Sequence, residues 1–304
     1  MARFTIVEAP SILGLFPKGV ELAPEALRAA GLVEGLGATE GGRVEPPPYD
    51  PTRDPATGML NPAGIAAYSP QLADAIGAVL DAGDFPVVLG GDCSILIGAA
   101  LALKRRGRFG LFFLDGHTDF WEPERSKTGE AAEMELGIVT GRGPAPVSDL
   151  DGLSPYVHDE DIVLFGPRDD AELAEAGVRD VRNTRMRVFP FDRVRALGAT
   201  TAAAMALQPG LGLRPQGPLA ESVEGFWVHL DADVLDDGAM PAVDYRQSGG
   251  LSPAELREVL KLPIRTGRAV GITITIYNPR LDPDGTAGRV LAAAVVAGLQ
   301  RTAA

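Results

Sequence analysis

The stretch LFFLDGHTDF at residues 111–120 sets the reading of the whole chain. Its first four residues, 111–114, are an apolar run of the kind shown by a fully buried parallel strand, and a polar cluster follows at once. The strand is therefore predicted to end at Asp115. Asp115, His117 and Asp119 then alternate with Gly116 and Thr118, so that in an extended or gently turning segment all three side chains converge on one point. One imidazole with two carboxylates suits a divalent cation. Such a set favours harder ions such as Mn²⁺ or Mg²⁺ and tolerates Zn²⁺ and Fe²⁺. The same residues are also ordinary in a surface loop after a strand, and the triplet alone leaves both readings open.

Two other stretches repeat the device. Residues 226–230 form an apolar run that ends in Asp231 and Asp233, which alternation puts on one side of the strand end. Two like charges so close repel, and a cation between them is the simplest compensation; the alternative is a solvated pair before an ordinary turn at Asp236, Asp237 and Gly238. Residues 85–89 form a third run, which leads into Gly90-Gly91-Asp92-Cys93-Ser94. Glycines there let the backbone turn sharply and approach a ligand, while a buried, inert thiol is the plainer account of Cys93. Taken jointly, three strand ends carrying Cys93, then Asp115, His117 and Asp119, then Asp231 and Asp233 point to a metal site.

The remainder alternates strands and helices. Residues 4–7 read as a strand, and Pro24 opens a helix that Gly31 stops. Residues 45–62 carry six prolines and read as an exposed loop able to border a pocket. A helix is expected from Ser69 as N-cap with Pro70 at its first position and Gly83 at its end. Residues 95–106 read as a helix with a basic end, 161–165 as a strand before a helix at 171–176, and 188–190 as a short strand before a helix at 192–197. The Gly- and Pro-rich stretch 208–221 reads as a loop. Ser252 and Glu255 have capping-box spacing, residues 269–277 are a β-branched strand stopped by Asn278-Pro279, and an apolar helix closes the chain. Glu130, Glu133 and Glu135, in a polar loop after the 111–120 stretch, read as a solvated helix face. No repeat or separating linker is visible, so residues 1–304 are expected to form one α/β domain.

Bulk properties narrow the classes of function. With 304 residues, 45% hydrophobic and 23% charged, the composition is that of an ordinary globular protein. A formal net charge of −13 argues against a nucleic-acid or anionic-membrane surface and is compatible with cationic small molecules. The single cysteine excludes an internal disulfide, and the stretch MARFTIVEAP lacks the apolar core of a signal peptide, so the expected compartment is the cytoplasm. The apolar run at 290–299 is about half of what a membrane span needs.

At these residues the chain resembles the ureohydrolase superfamily of arginase, agmatinase and formimidoylglutamase. The resemblance is carried by GGDCS at 90–94, DGHTD at 115–119, GPRD at 166–169, HLDADVLDDGAMPA at 229–242 and NPRLD at 278–282, with KGVELAPEALRAAGL near the start. It implies a three-layer αβα sandwich with a mostly parallel sheet of about eight strands. It also implies a pair of Mn²⁺ ions, or other divalent metals, at the strand ends. On that resemblance Asp115 and Asp231 bridge both ions, His117 and Asp233 bind one, and Asp119 binds the other. Cys93 falls where most members have a histidine ligand to that other ion, a departure similar to the cysteine-bearing N-hydroxyarginine amidinohydrolase type. The loop histidine that assists catalysis in the family falls at Ala132, and the glutamate that pairs with a guanidinium falls at Ile276.

The resemblance implies a binuclear hydrolase of non-peptide C–N bonds in a linear amidine or guanidine, working through a water that two divalent ions activate. Asp119 is the candidate for moving a proton to the leaving nitrogen, and Glu130, Glu133 and Asp169 are the candidates for holding substrate. The expected partner is a small-molecule substrate, with neither nucleic acid nor membrane, and the chain is expected to form homo-oligomers. Two rivals stand beside this reading: a hydrolase of the same fold acting on an uncharged amide, because Ile276 removes the expected anion, and a non-catalytic binding protein that keeps the fold.

Overall fold

The computed structural model describes residues 2–208 and 223–300. Eight strands form one sheet: β1 (Phe4–Ala9), β2 (Thr39–Arg43), β3 (Phe85–Gly90), β4 (Gly110–Leu114), β5 (Ile162–Phe165), β6 (Arg187–Phe189), β7 (Phe226–Asp231) and β8 (Ala269–Thr275). Their spatial order is β2-β1-β3-β8-β7-β4-β5-β6, and every pairing is parallel. Parallel strands need crossovers, and helices supply most of them. They are α1 (Ala23–Ala29), α2 (Leu32–Leu36), α3 (Pro62–Asp81), α4 (Leu96–Lys104), α5 (Glu135–Val139), α6 (Ala145–Ser148), α7 (Asp170–Ala176), α8 (Phe191–Leu197), α9 (Ala199–Leu207), α10 (Pro253–Arg265) and α11 (Thr286–Leu299).

Side-chain alternation along β4 explains the three layers. Leu111 and Phe113 pack into one apolar core with α3, α4 and α5, while Phe112 and Leu114 pack into the other with α1, α10 and α11. All four are at most 1% exposed. Burying each contributes roughly 1.5–3 kcal/mol, which is why the run is apolar throughout instead of alternating.

The helix expected to begin at Ser69 begins at Pro62 and runs through Pro70. Ile65, Tyr68, Leu72 and Ile76 form one buried stripe across the proline, and the Tyr68 hydroxyl donates to the Val44 carbonyl at 2.7 Å. Burial of that stripe outweighs the N–H that Pro70 cannot supply. Residues 45–61 form no helix or sheet strand, but Met59, Leu60 and Asn61 are buried, and Asn61 takes up a left-handed φ of 48° just before α3. Of the expected loop at 208–221, only Gln208 lies within the described residues.

The ends of β3, β8, β7 and β4 stand side by side in the middle of the sheet. Registers of Leu114 with Leu230, and of Asp231 with Thr275, bring the two acidic strand ends level. Ligand sites in open α/β sheets form at such carboxyl ends.

Candidate metal centre

Three loops leave these strand ends, and each is shaped by a short-range constraint. After β3 the chain turns so tightly that a Cβ on Gly91 would lie 1.8 Å from the Ser11 carbonyl oxygen, which only glycine permits. Asp92 locks that turn: its carboxylate accepts from the Ser11 hydroxyl at 2.6 Å and from the Ser94 amide at 2.8 Å. Cys93 follows, fully buried, with its sulfur 2.9 Å from Asp231 Oδ2 and 3.0 Å from Thr275 Oγ1. It faces the acidic strand end of β7.

After β4 a Cβ on Gly116 would lie 2.7 Å from the Asp233 carbonyl, so this loop too is pressed against its neighbour. His117 donates its backbone N–H to Asp115 Oδ1 at 2.6 Å and places Nδ1 2.8 Å from Asp233 Oδ2. The Asp115, His117 and Asp233 donor atoms lie within 4.8 Å of one another. Thr118 is held from behind, because Asp169 accepts both its amide at 2.8 Å and its hydroxyl at 2.6 Å. Asp119 has a left-handed φ of 46°. That turn aims its carbonyl at the amides of Leu136 and Gly137, and so folds the long loop back over the strand ends.

The fold-back corrects the expectation of a solvated glutamate face. Glu135 is fully buried, Glu130 is 2% exposed, and Glu133 is half-buried. Glu130 accepts from the Phe16 amide at 2.7 Å and from the Tyr245 hydroxyl, and Glu133 accepts from the Ser126 and Thr128 hydroxyls. The Glu135 carboxyl faces that of Asp119, a contact that is a hydrogen bond only when a proton is shared between them.

Charge crowding dominates the electrostatics. Burial, and then the neighbouring acids, push the Asp115, Asp119 and Asp231 carboxyls well above the usual carboxylate range, and burial does the same to Glu135. Burial, and then Asp231, raise the Cys93 thiol. Asp233 differs: burial pushes it up, but the His117 imidazole pulls it further down, to about 2, and His117 is raised in turn against its own burial. His229, two residues before Asp231 on β7, is held neutral by burial, its pKa lowered to about 3. Such an acidic, desolvated floor is suited to binding divalent cations.

Above this floor opens a cavity of about 470 Å³. His117, Asp119, Asp231 and Asp233 form its base, and Glu130, Glu133 and Asp169 reach it from the sides. Ala132 and Ile276 supply apolar wall. Ile276 adopts a left-handed φ of 69°, a strained state for a β-branched residue, and its amide donates to the Gly91 carbonyl at 2.9 Å. Residues 45–62 do not line the cavity.

Of the six candidate ligands, Asp115, His117 and Asp233 bring their donors together, Cys93 lies against Asp231, and Asp119 joins His117, Asp231 and Asp233 in lining the cavity. Sequence reasoning missed His229 and misread Glu135. Period-two spacing before Asp231 marked His229 as sharing its face of β7, whereas nothing local to Glu135 announces the fold-back that buries it.

Comparison with known proteins gives a consistent picture. The family model described as "Arginase family" matches residues 2–300. An arginase of Staphylococcus aureus (strain COL) is 29% identical over 286 residues, covering 91% of this chain and 90% of that protein. The native structure of arginase from Bacillus caldovelox superposes with a TM-score of 0.85 at 25% identity, over 99% of both chains. The proclavaminate amidino hydrolase of Streptomyces clavuligerus shares the fold, with a TM-score of 0.67 at 18% identity over 98% of this chain and 90% of that one.

Proposed function

We propose, for a chain that belongs to the arginase family, that the cleft is the active centre of a binuclear metal-dependent hydrolase that cleaves a C–N bond of a linear amidine or guanidine. The observation that carries this reading is the convergence of Asp115, His117 and Asp233 donors within 4.8 Å, at the carboxyl ends of adjacent parallel strands and under an open cavity. The residues fit a pair of divalent ions: Asp115 and Asp231 would be shared, His117 and Asp233 would hold one ion, and Asp119 the other. Mn²⁺ is the first candidate on the hardness of the carboxylate donors. When bound, such a pair lowers the pKa of water enough to provide hydroxide near neutral pH.

The chain's own residues supply the rest. Asp119 sits at the cavity base with a carboxyl that readily holds a proton, which suits it to deliver one to the departing nitrogen. Glu130 and Glu133, already oriented by hydroxyl and amide donors, offer their remaining lone pairs to an amidinium. Asp169 has both oxygens on Thr118 and fixes the loop that carries His117 and Asp119, while its place on the cavity side lets it meet substrate. The fold reading extends to homo-oligomers, which sedimentation tests.

A second reading draws on the wall. Ala132 and Ile276 line the cavity with apolar side chains, which favours an uncharged amide as the scissile group. Release of urea, ammonia or formamide from a panel of guanidines, amidines and amides separates the two, alongside elemental analysis of the protein as purified. Metal-dependent turnover of a guanidine or amidine supports the first reading, turnover of amides alone supports the second, and a protein that holds no metal contradicts both.

A further inference from the structure

Below the Asp115–His117–Asp233 set lies a second group of donors, reached by going inward along β7 from Asp231 to His229. Cys93 Sγ, a carboxylate oxygen each of Asp115 and Glu135, and a ring nitrogen of His229 lie within 4.8 Å of one another. All four side chains are fully buried. Among the described residues, Asp115 Oδ2, both Glu135 oxygens and His229 Nε2 have no hydrogen-bond partner. Buried polar atoms are almost always satisfied, so orphaned atoms meeting at one point need a common explanation.

His229 supplies the detail that points to a cation. Its Nδ1 lies 2.7 Å from Thr273 Oγ1, and its ring stacks on Phe113 at 4.7 Å between centroids. Both contacts hold the ring and leave Nε2 as the nitrogen without a partner. Imidazoles that ligate metals are oriented in this way, with the other nitrogen held by an oxygen.

We propose that Cys93, Asp115, Glu135 and His229 form a buried four-ligand site for the deeper ion of the pair, and that this site selects Zn²⁺ over Mn²⁺. A thiolate and an imidazole beside two carboxylates make a borderline-soft set, compatible with the four-coordinate geometry Zn²⁺ adopts, and Mn²⁺ lies at the weak end of the affinity order for such donors. Asp115 belongs to both donor sets and links the deeper ion to the one held by His117 and Asp233. The proposal rests on the binuclear reading and changes its ligands and its metal: Glu135 supplies a donor from the folded-back loop, and the cluster becomes heterometallic.

Metal-free full-length protein loaded with Co²⁺ alone tests this directly. A sulfur-to-cobalt charge-transfer band in the near ultraviolet, absent from Cys93→Ser, is expected. After exposure to equimolar Zn²⁺ and Mn²⁺ and removal of free metal, elemental analysis should find Zn²⁺ retained. Glu135→Gln and His229→Phe should each weaken that Zn²⁺ by at least about ten-fold while the His117 and Asp233 ion stays. A bound pair with no sulfur band, or with Zn²⁺ affinity unmoved in both variants, overturns the four-ligand site and leaves the hydrolase reading standing. Wild-type protein that binds no divalent ion overturns both. Should the variants fail to fold, the wild-type protein decides by the competition: Mn²⁺ retained in place of Zn²⁺ overturns the proposed selectivity and with it the four-ligand site.

Discussion

Cys93 is the side chain on which the metal reading and a packing reading divide most sharply. Its sulfur lies against Asp231 with no solvent access, so a ligand role and a packing role make opposite forecasts for Cys93→His. Imidazole is harder than thiolate, and the variant should shift preference toward Mn²⁺ and bind it more tightly by calorimetry. If Cys93 only packed the turn, histidine would overfill it, and the melting temperature would fall with metal affinity unchanged. Glu130 yields a second forecast. Burial raises its pKa above the ordinary 4.5, only partly offset by its Tyr245 partner, so it takes up a proton earlier as pH falls. If its carboxylate holds a cationic substrate, KM should rise on the acid side beginning above that value, and Glu130→Gln should flatten this limb while raising KM at neutral pH. A KM unchanged by the substitution would remove Glu130 from the substrate site.

Among the elements, legibility in the sequence follows burial. β3, β4, β7 and β8 lie in the middle of the sheet, where both faces are covered, so their apolar runs announced them. β2 reads TEGGR, lies at the sheet edge and is largely exposed, and it therefore carries no apolar signal at all. The start of α3 was misplaced because Ser69-Pro70 imitates a helix entry, whereas the buried stripe on both sides of it decides. The site divides in the same manner. Aspartates at strand ends were readable because alternation is local, but Glu135 reaches the cluster only through the left-handed turn at Asp119, which depends on the folded loop. α10 shows a local rule holding: Ser252 Oγ accepts from the Glu255 amide at 3.2 Å, and the Glu255 carboxylate accepts from the Ser252 amide at 2.8 Å. Ser252→Ala should lower stability by about 1 kcal/mol in denaturant titration with activity unchanged. A loss near zero would show that α10 is held by its packing on α9 and α11 without help from the cap.

At the scale of the whole molecule, one parallel sheet gathers acidic strand ends under a single cavity, on a chain of net charge −13 that draws cations toward it. On the proposed reading, divalent cations complete that gathering. Asp231 is the residue on which the account turns: its carboxylate stands between Cys93 and the Asp233 loop, accepting from the thiol at 2.9 Å and from the Asp233 amide at 2.7 Å. Elemental analysis of the wild-type protein and of Asp231→Asn, each loaded with divalent metal and freed of excess, is the most direct measurement. The shared-carboxylate role proposed for Asp231 predicts an ion pair in the wild type and loss of metal together with activity in the variant, with the fold retained by circular dichroism. Full metal occupancy in Asp231→Asn, or a wild type that holds no metal, would contradict it.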